Sequence, residues 1–147
     1  MLAEYVVLPE IGVVRVPAHL TDAEAATLPI AGLTAWQAVA EVGRVRAGDA
    51  VVVQGTGGVS VFALQFARLH GARVFVVSGS AEKLERALAL GADAGVLRTA
   101  EPDWDRRVLE WTAAVAPDPF LVPGRPLFSC PDIPATFRVE KVGCNES

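Results

Sequence analysis

Along the middle of the chain, short unbroken apolar runs alternate with longer stretches in which apolar residues recur every three to four positions. The runs AVVVQ (50–54), RVFVV (73–77) and AGVL (94–97) predict strands buried on both faces. Between them, SVFALQFARLHG carries apolar residues through a helical length and stops at Gly71. AEKLERALALG does the same, with Ser80 as its N-cap and Gly91 past its end. Strands that alternate with helices in this way predict an α/β fold: a parallel sheet with right-handed crossovers and about three βα units. A further helix over about Trp104–Thr112 places Trp104, Val108 and Trp111 on one side.

The flanks follow different rules. Two valine-rich runs, Tyr5–Leu8 and Val13–Val16, are separated by Pro9 and Gly12 and predict short strands. Thr21 and Glu24 have the reciprocal spacing of a capping box, so a short helix is expected from residue 22 until Pro29 interrupts it. Leu33, Trp36 and Ala40 recur at helical spacing over Ala31–Val42, ahead of Gly43. After Thr112, Pro117, Pro119, Pro123, Pro126, Pro131 and Pro134 crowd a segment with neither periodicity, which is a poor candidate for regular structure. The chain thus divides into residues 1–20, an α/β unit over 21–112, and a proline-rich tail over 113–147.

Composition narrows the chemistry. With 147 residues, 52% of them hydrophobic, the chain has the material for one packed core. A net charge of −4 and scattered arginines offer no basic surface, which excludes nucleic acid as a partner. No apolar run approaches membrane-spanning length, and the opening MLAEYVVLPE lacks a basic leader, so a cytoplasmic location away from the membrane is expected. Cys130 and Cys144 match no zinc or redox spacing. His19 and His70 have no cysteine neighbours, so no metal site is expected in this chain.

Gly55, Gly57, Gly58 and Ser60 stand between a predicted strand and a predicted helix, the setting in which a glycine cluster has a mechanical use. Gly55 permits a tight turn, Gly57 lets backbone approach a pyrophosphate, and the small Ser60 lets helix pack on strand. The helix N-terminus then offers N–H groups and a partial positive charge to the anion. No lysine follows in the nucleoside-triphosphate arrangement. At the end of the second strand, where an acid would accept hydrogen bonds from the ribose hydroxyls of NAD, the chain has Ser78, Gly79 and Ser80, then Lys83. Small hydroxyls and a cation suit a 2′-phosphate, which favours NADP(H) over NAD(H) and weighs against a methyltransferase. The plainer alternative makes Ser80 a helix cap and Lys83 a solvated charge.

The segments LPIAGLTAWQAV, GDAVVVQGTGGVSVFALQFARLHGARV and EKLERALALGAD, in this order and spacing, resemble the medium-chain dehydrogenase/reductase superfamily in its zinc-type alcohol dehydrogenase and quinone reductase-like branch. The resemblance runs over about residues 2–112. It implies a Rossmann-type domain preceded by the last strands of a GroES-like catalytic domain at residues 2–17. It also implies hydride transfer between NAD(P)H and a small carbonyl, alcohol, enone or quinone. By the same resemblance Thr34 lies near the nicotinamide, unless it is an ordinary helix residue, and Gly57, Gly58, Val59 and Ser60 contact the diphosphate. The zinc-ligand segments of the catalytic domain are not in this chain, and no catalytic residue can be assigned.

Relatives of this kind often continue with Gly-Gly-Arg-Gly-Ala where this chain reads Ala113 to Pro117. Codons for the latter, read one base earlier, spell the former, so a shift of reading frame near Thr112 is expected, against the alternative of a tail peculiar to this protein. Truncation after three strands would leave a sheet edge uncovered, through which a homodimer could form. A dinucleotide-binding module without catalysis, or a product unable to act at all, stands as the alternative to an enzyme.

Overall fold

The computed structural model describes residues 4–115 and 120–123. Four strands, β1 (Ala50–Gln54), β2 (Arg73–Ser78), β3 (Ala94–Leu97) and β4 (Phe120–Pro123), form one sheet in the order β3-β2-β1-β4. Every pairing is parallel, with Val52 opposite Phe75, Phe75 opposite Ala94 and Val51 opposite Phe120. The helices are α1 (Asp22–Ala25), α2 (Leu33–Trp36), α3 (Gly58–Leu69), α4 (Ala81–Ala89) and α5 (Trp104–Val115).

Alternation along the strands sends side chains to two cores. Val51, Val53, Val74 and Val76 face α3 and α4 and pack with Ala63, Leu64 and Ala67. On the opposite face, Val52, Phe75, Val77 and Val96 meet Trp104, Val108 and Trp111 of α5. Phe75 and Trp111 lie with ring centroids 5.3 Å apart. Coverage of both faces is what unbroken valine runs require, because neither face tolerates water. The tightest approach is at Gly95, where a Cβ would stand 2.6 Å from Leu84 Cδ1 and 2.7 Å from the Val76 carbonyl oxygen.

Three sequence expectations are corrected. No strand forms at Tyr5–Leu8 or Val13–Val16, so the expected last strands of a GroES-like catalytic domain are not present here; a single 3-10 turn at Glu10–Gly12 interrupts an extended segment. Its valines are exposed, Val7 at 99% and Val14 at 93%, so no partner strand among the described residues supplies the hydrogen bonds a strand needs. The helix expected over Ala31–Val42 keeps α-helical bonding only in α2, flanked by wider π-helical turns at Leu28–Gly32 and Gln37–Val42. Pro29, which lacks an N–H, lies in the first of these. Last, the region after Thr112 is not wholly irregular. Helix α5 continues to Val115, and β4 adds to the open edge of β1. Pro123, which cannot donate to a ladder, is admitted because it ends an edge strand.

The capping box is formed as expected: the Thr21 hydroxyl accepts from the Glu24 N–H at 3.3 Å while Glu24 Oε2 accepts from the Thr21 N–H at 2.9 Å. Of the proline-rich tail, residues 116–119 and 124–147, Cys130 and Cys144 included, lie outside the described residues.

Candidate functional site

After β3 the chain crosses to the far side of β1, so the strand order reverses between β1 and β4. Outside the carboxyl ends of strands at such a reversal lies the crevice in which open α/β sheets take their ligands. The glycine loop is placed there.

Gly55 follows β1 with φ +98°, a conformation that side chains other than glycine strain to adopt. Its N–H still donates to the Val77 carbonyl at 2.7 Å, so the turn begins without losing the ladder. Gly57 is the N-cap of α3, extended, exposed and without a side-chain cap. A Cβ built there meets nothing within 4 Å. The first-turn N–H groups of Gly58, Val59 and Ser60 therefore open toward the crevice with no cap in front of them. Gly58 is held from behind, where its Cβ would touch Ala31 Cβ at 3.4 Å. Ser60, 2% exposed, turns inward. Thr34 is half-buried on α2, a helix that packs on α3 through Trp36 and Phe66, with perpendicular rings 5.4 Å apart. Among the described residues no hydrogen bond ties the Thr34 side chain to the glycine loop, whose Thr56 hydroxyl meets Ser78 instead.

The end of β2 is organised by hydroxyls. Ser78 is fully buried; its Oγ donates to the Ser80 carbonyl at 2.9 Å, accepts from the Ser80 N–H at 3.1 Å and meets Thr56 Oγ1 at 3.3 Å. Ser78 thereby joins the glycine loop to the turn after β2, and its hydroxyl is already engaged. The Ser80 hydroxyl caps α4, accepting from the Lys83 N–H at 3.4 Å, and Lys83 is exposed on the first turn.

Sequence reasoning missed Arg98. Its N–H donates to the Ser78 carbonyl at 2.9 Å, and its guanidinium folds over Gly79, where a Cβ would stand 3.2 Å from Arg98 Nε. The signal was available: parallel pairing of Ser78 with Leu97 brings the residues just past β2 and β3 side by side. Arg98 thus covers the turn at Gly79, and Lys83 stands exposed on the first turn of the helix that follows. Among the described residues no three His, Cys, Asp or Glu side chains gather as a metal site. His70 lies at the C-terminal end of α3, with Nδ1 2.7 Å from the Phe66 carbonyl oxygen. No helix among the described residues is long and apolar enough to cross a membrane.

A parallel sheet, a glycine turn at the strand-order reversal and an uncapped helix N-terminus together define a Rossmann-type dinucleotide-binding domain. The zinc-binding dehydrogenase family model matches residues 58–121. A zinc-type alcohol dehydrogenase-like protein of Schizosaccharomyces pombe is 45% identical over 114 residues, which is 76% of this chain and 33% of that protein. A crystal structure from Sinorhizobium meliloti 1021 that carries an alcohol dehydrogenase assignment is 50% identical, with TM-score 0.72, over 82% of this chain and 42% of that one. The Thermus thermophilus quinone oxidoreductase, solved also with NADPH, is 33% identical, with TM-score 0.62, over 71% of this chain and 34% of its own. The chain belongs to the medium-chain dehydrogenase/reductase superfamily, in its zinc-type alcohol dehydrogenase and quinone reductase-like branch. It spans about a third of the length of the S. pombe relative.

Proposed function

We propose that this chain is the dinucleotide-binding part of an NAD(P)H-dependent oxidoreductase that moves a hydride between nicotinamide and a small carbonyl, alcohol, enone or quinone. The observation that carries the reading is the open backbone at Gly57, set before the uncapped N-terminus of α3 at the strand-order reversal. A pyrophosphate there would accept from the first-turn N–H groups of Gly58, Val59 and Ser60. The nicotinamide supplies the hydride, and the protein supplies orientation and electrostatics. On this reading Thr34 lies toward the nicotinamide and 21–112 hold most of the nucleotide-binding unit.

NADP(H) is the favoured form, because β2 ends in Ser78 and Gly79 with no acid there, while Arg98 covers Gly79 and Lys83 is exposed on the first turn of α4. Ser78 and Ser80 act on this reading by shaping the turn, and the cations meet the 2′-phosphate. Replacement of Arg98 by Ala should weaken NADPH binding about tenfold and leave NADH binding within about twofold, as the loss of one charge-assisted hydrogen bond predicts.

A second reading keeps the binding and drops the turnover, since the chain covers about a third of the S. pombe relative and has no assigned catalytic group. Self-association through a free sheet edge belongs to that reading; with β4 on β1, the open edges among the described residues are those of β3 and β4. Titration of the purified chain with NADPH and with NADH, followed by calorimetry and melting temperature, tests the binding, because a ligand of the native state alone must raise the melting point. Saturable binding of NADPH, weaker for NADH, supports the reading; binding of neither would sink it. Turnover against aldehyde and quinone panels then separates enzyme from module.

A further inference from the structure

Two extended arms, Glu4–Leu8 and Val13–Val16, flank the 3-10 turn at Glu10–Gly12, and every residue of both is exposed. Their apolar side chains stand in two classes: Tyr5 and Val14 are 91% and 93% exposed, Val6 and Val13 44% and 52%. Among the described residues no backbone hydrogen bond reaches Tyr5–Leu8 or Val14–Val16. A dense apolar stretch with unpaired N–H and C=O groups is a template for another strand.

The arms are complementary to each other when run antiparallel. With Glu4 set opposite Arg15, Tyr5 falls opposite Val14 and Val6 opposite Val13. Opposite charges then meet, an aromatic ring meets a β-branched side chain, and each residue meets a partner of its own exposure class. Neither Glu4 nor Arg15 has an ion-pair partner among the described residues. A slip of one position would set Glu4 against Val14 or Val16 and turn the faces over. Within one chain the arms stay apart. To meet in this register they would need a two-residue loop at Pro9 and Glu10, and the favoured loops of that length begin with a positive φ. The ring of Pro9 holds φ at −60°, and the Gly12 N–H instead donates to the Pro9 carbonyl at 2.8 Å. Two copies related by a two-fold axis need no such loop, and symmetry makes every contact twice.

We propose that residues 4–16 are a dimer interface whose partner is a second copy of this chain: Glu4–Val6 of each copy runs antiparallel to Val13–Arg15 of the other. The contact uses neither the glycine loop nor the open edges of β3 and β4, and it does not rest on the nucleotide reading. So few pairs make a small interface, and the dimer is weak and dependent on concentration.

Sedimentation velocity of the purified full chain over a concentration series should show a monomer–dimer equilibrium. Glu4→Arg alone, or Arg15→Glu alone, sets like charges opposite each other at two places and should weaken the dimer about tenfold. The double reversal, Glu4→Arg with Arg15→Glu, restores both pairs and should bring affinity back to within about twofold of the unmodified chain. Both side chains are exposed, so melting followed by circular dichroism should not change in any of the three variants. In the unmodified chain, isotope-filtered nuclear Overhauser contacts in a mixture of labelled and unlabelled copies should join the Tyr5 ring of one to the Val14 methyls of the other. A chain that stays monomeric throughout, a dimer indifferent to the single reversals, a double reversal no tighter than the singles, or Tyr5–Val14 contacts made only within one copy would each overturn the proposal.

Discussion

Gly55 and Gly57 sit two residues apart in one loop and do different jobs. At Gly55 the positive φ is the requirement, so Gly55→Ala should destabilise the fold by about 1–2 kcal/mol, measured by denaturant unfolding. At Gly57 the backbone is extended and a Cβ has free space, so Gly57→Ala should shift stability by less than about 0.5 kcal/mol. On the proposed reading the same methyl stands where the pyrophosphate must come, and NADPH affinity falls at least about tenfold. A loss of stability at Gly57, or unchanged affinity, would show that the loop is structural only. Glu24 offers an independent check. The Thr21 N–H, and then the Thr21 hydroxyl, hold its carboxyl below the ordinary value of 4.5. A depressed carboxylate stabilises the fold above its unfolded pKa, and that contribution fades as the pH falls through the folded pKa, which lies below 4.5. Carboxyl-carbon NMR should find Glu24 titrating below that value, and Thr21→Ala should move it up.

At the scale of elements, α4 is pressed onto the sheet through an absent side chain. The 2.6 and 2.7 Å approaches at Gly95 leave a methyl no room, because one of the atoms in the way is backbone. Gly95→Ala should cost about 1–3 kcal/mol, read from chemical denaturation, and a neutral result would mean that α4 rides higher than described. This contact was not legible in the sequence, where AGVL reads as an ordinary small strand. The strands and helices from Ala50 to Ala89 were legible, because buried parallel strands and amphipathic helices leave opposite signatures in apolar spacing. Valine content alone misled at Tyr5–Leu8 and Val13–Val16: propensity describes a surface that suits a sheet, and no sheet is offered to it among the described residues. Prolines misled in the other direction at β4, since an edge strand of four residues can end on Pro123. The glycine loop could be read because its meaning lies in local order, strand then turn then helix. Arg98 could not be read that way, because it reaches Gly79 only through the pairing of β3 with β2.

For the whole molecule, the order β3-β2-β1-β4 also sets an order in time. The pairings of β1 with β2 and of β2 with β3 close over short stretches, each bridged by one helix. Val51 must wait for Phe120, which arrives only after everything between them has been laid down. Distant pairings carry a larger chain-closure entropy before any bond rewards them, so the β1–β4 ladder should be the last to assemble and the first to open. Native-state hydrogen exchange should find the amides of β4 opening at lower free energy than those of β2, while equal protection would mean that the sheet opens as one unit. The β4 side of the strand-order reversal is then the part that comes and goes. A dinucleotide lying against both strands would act as a late-arriving clasp, and its arrival should slow the exchange of β4 far more than that of β2.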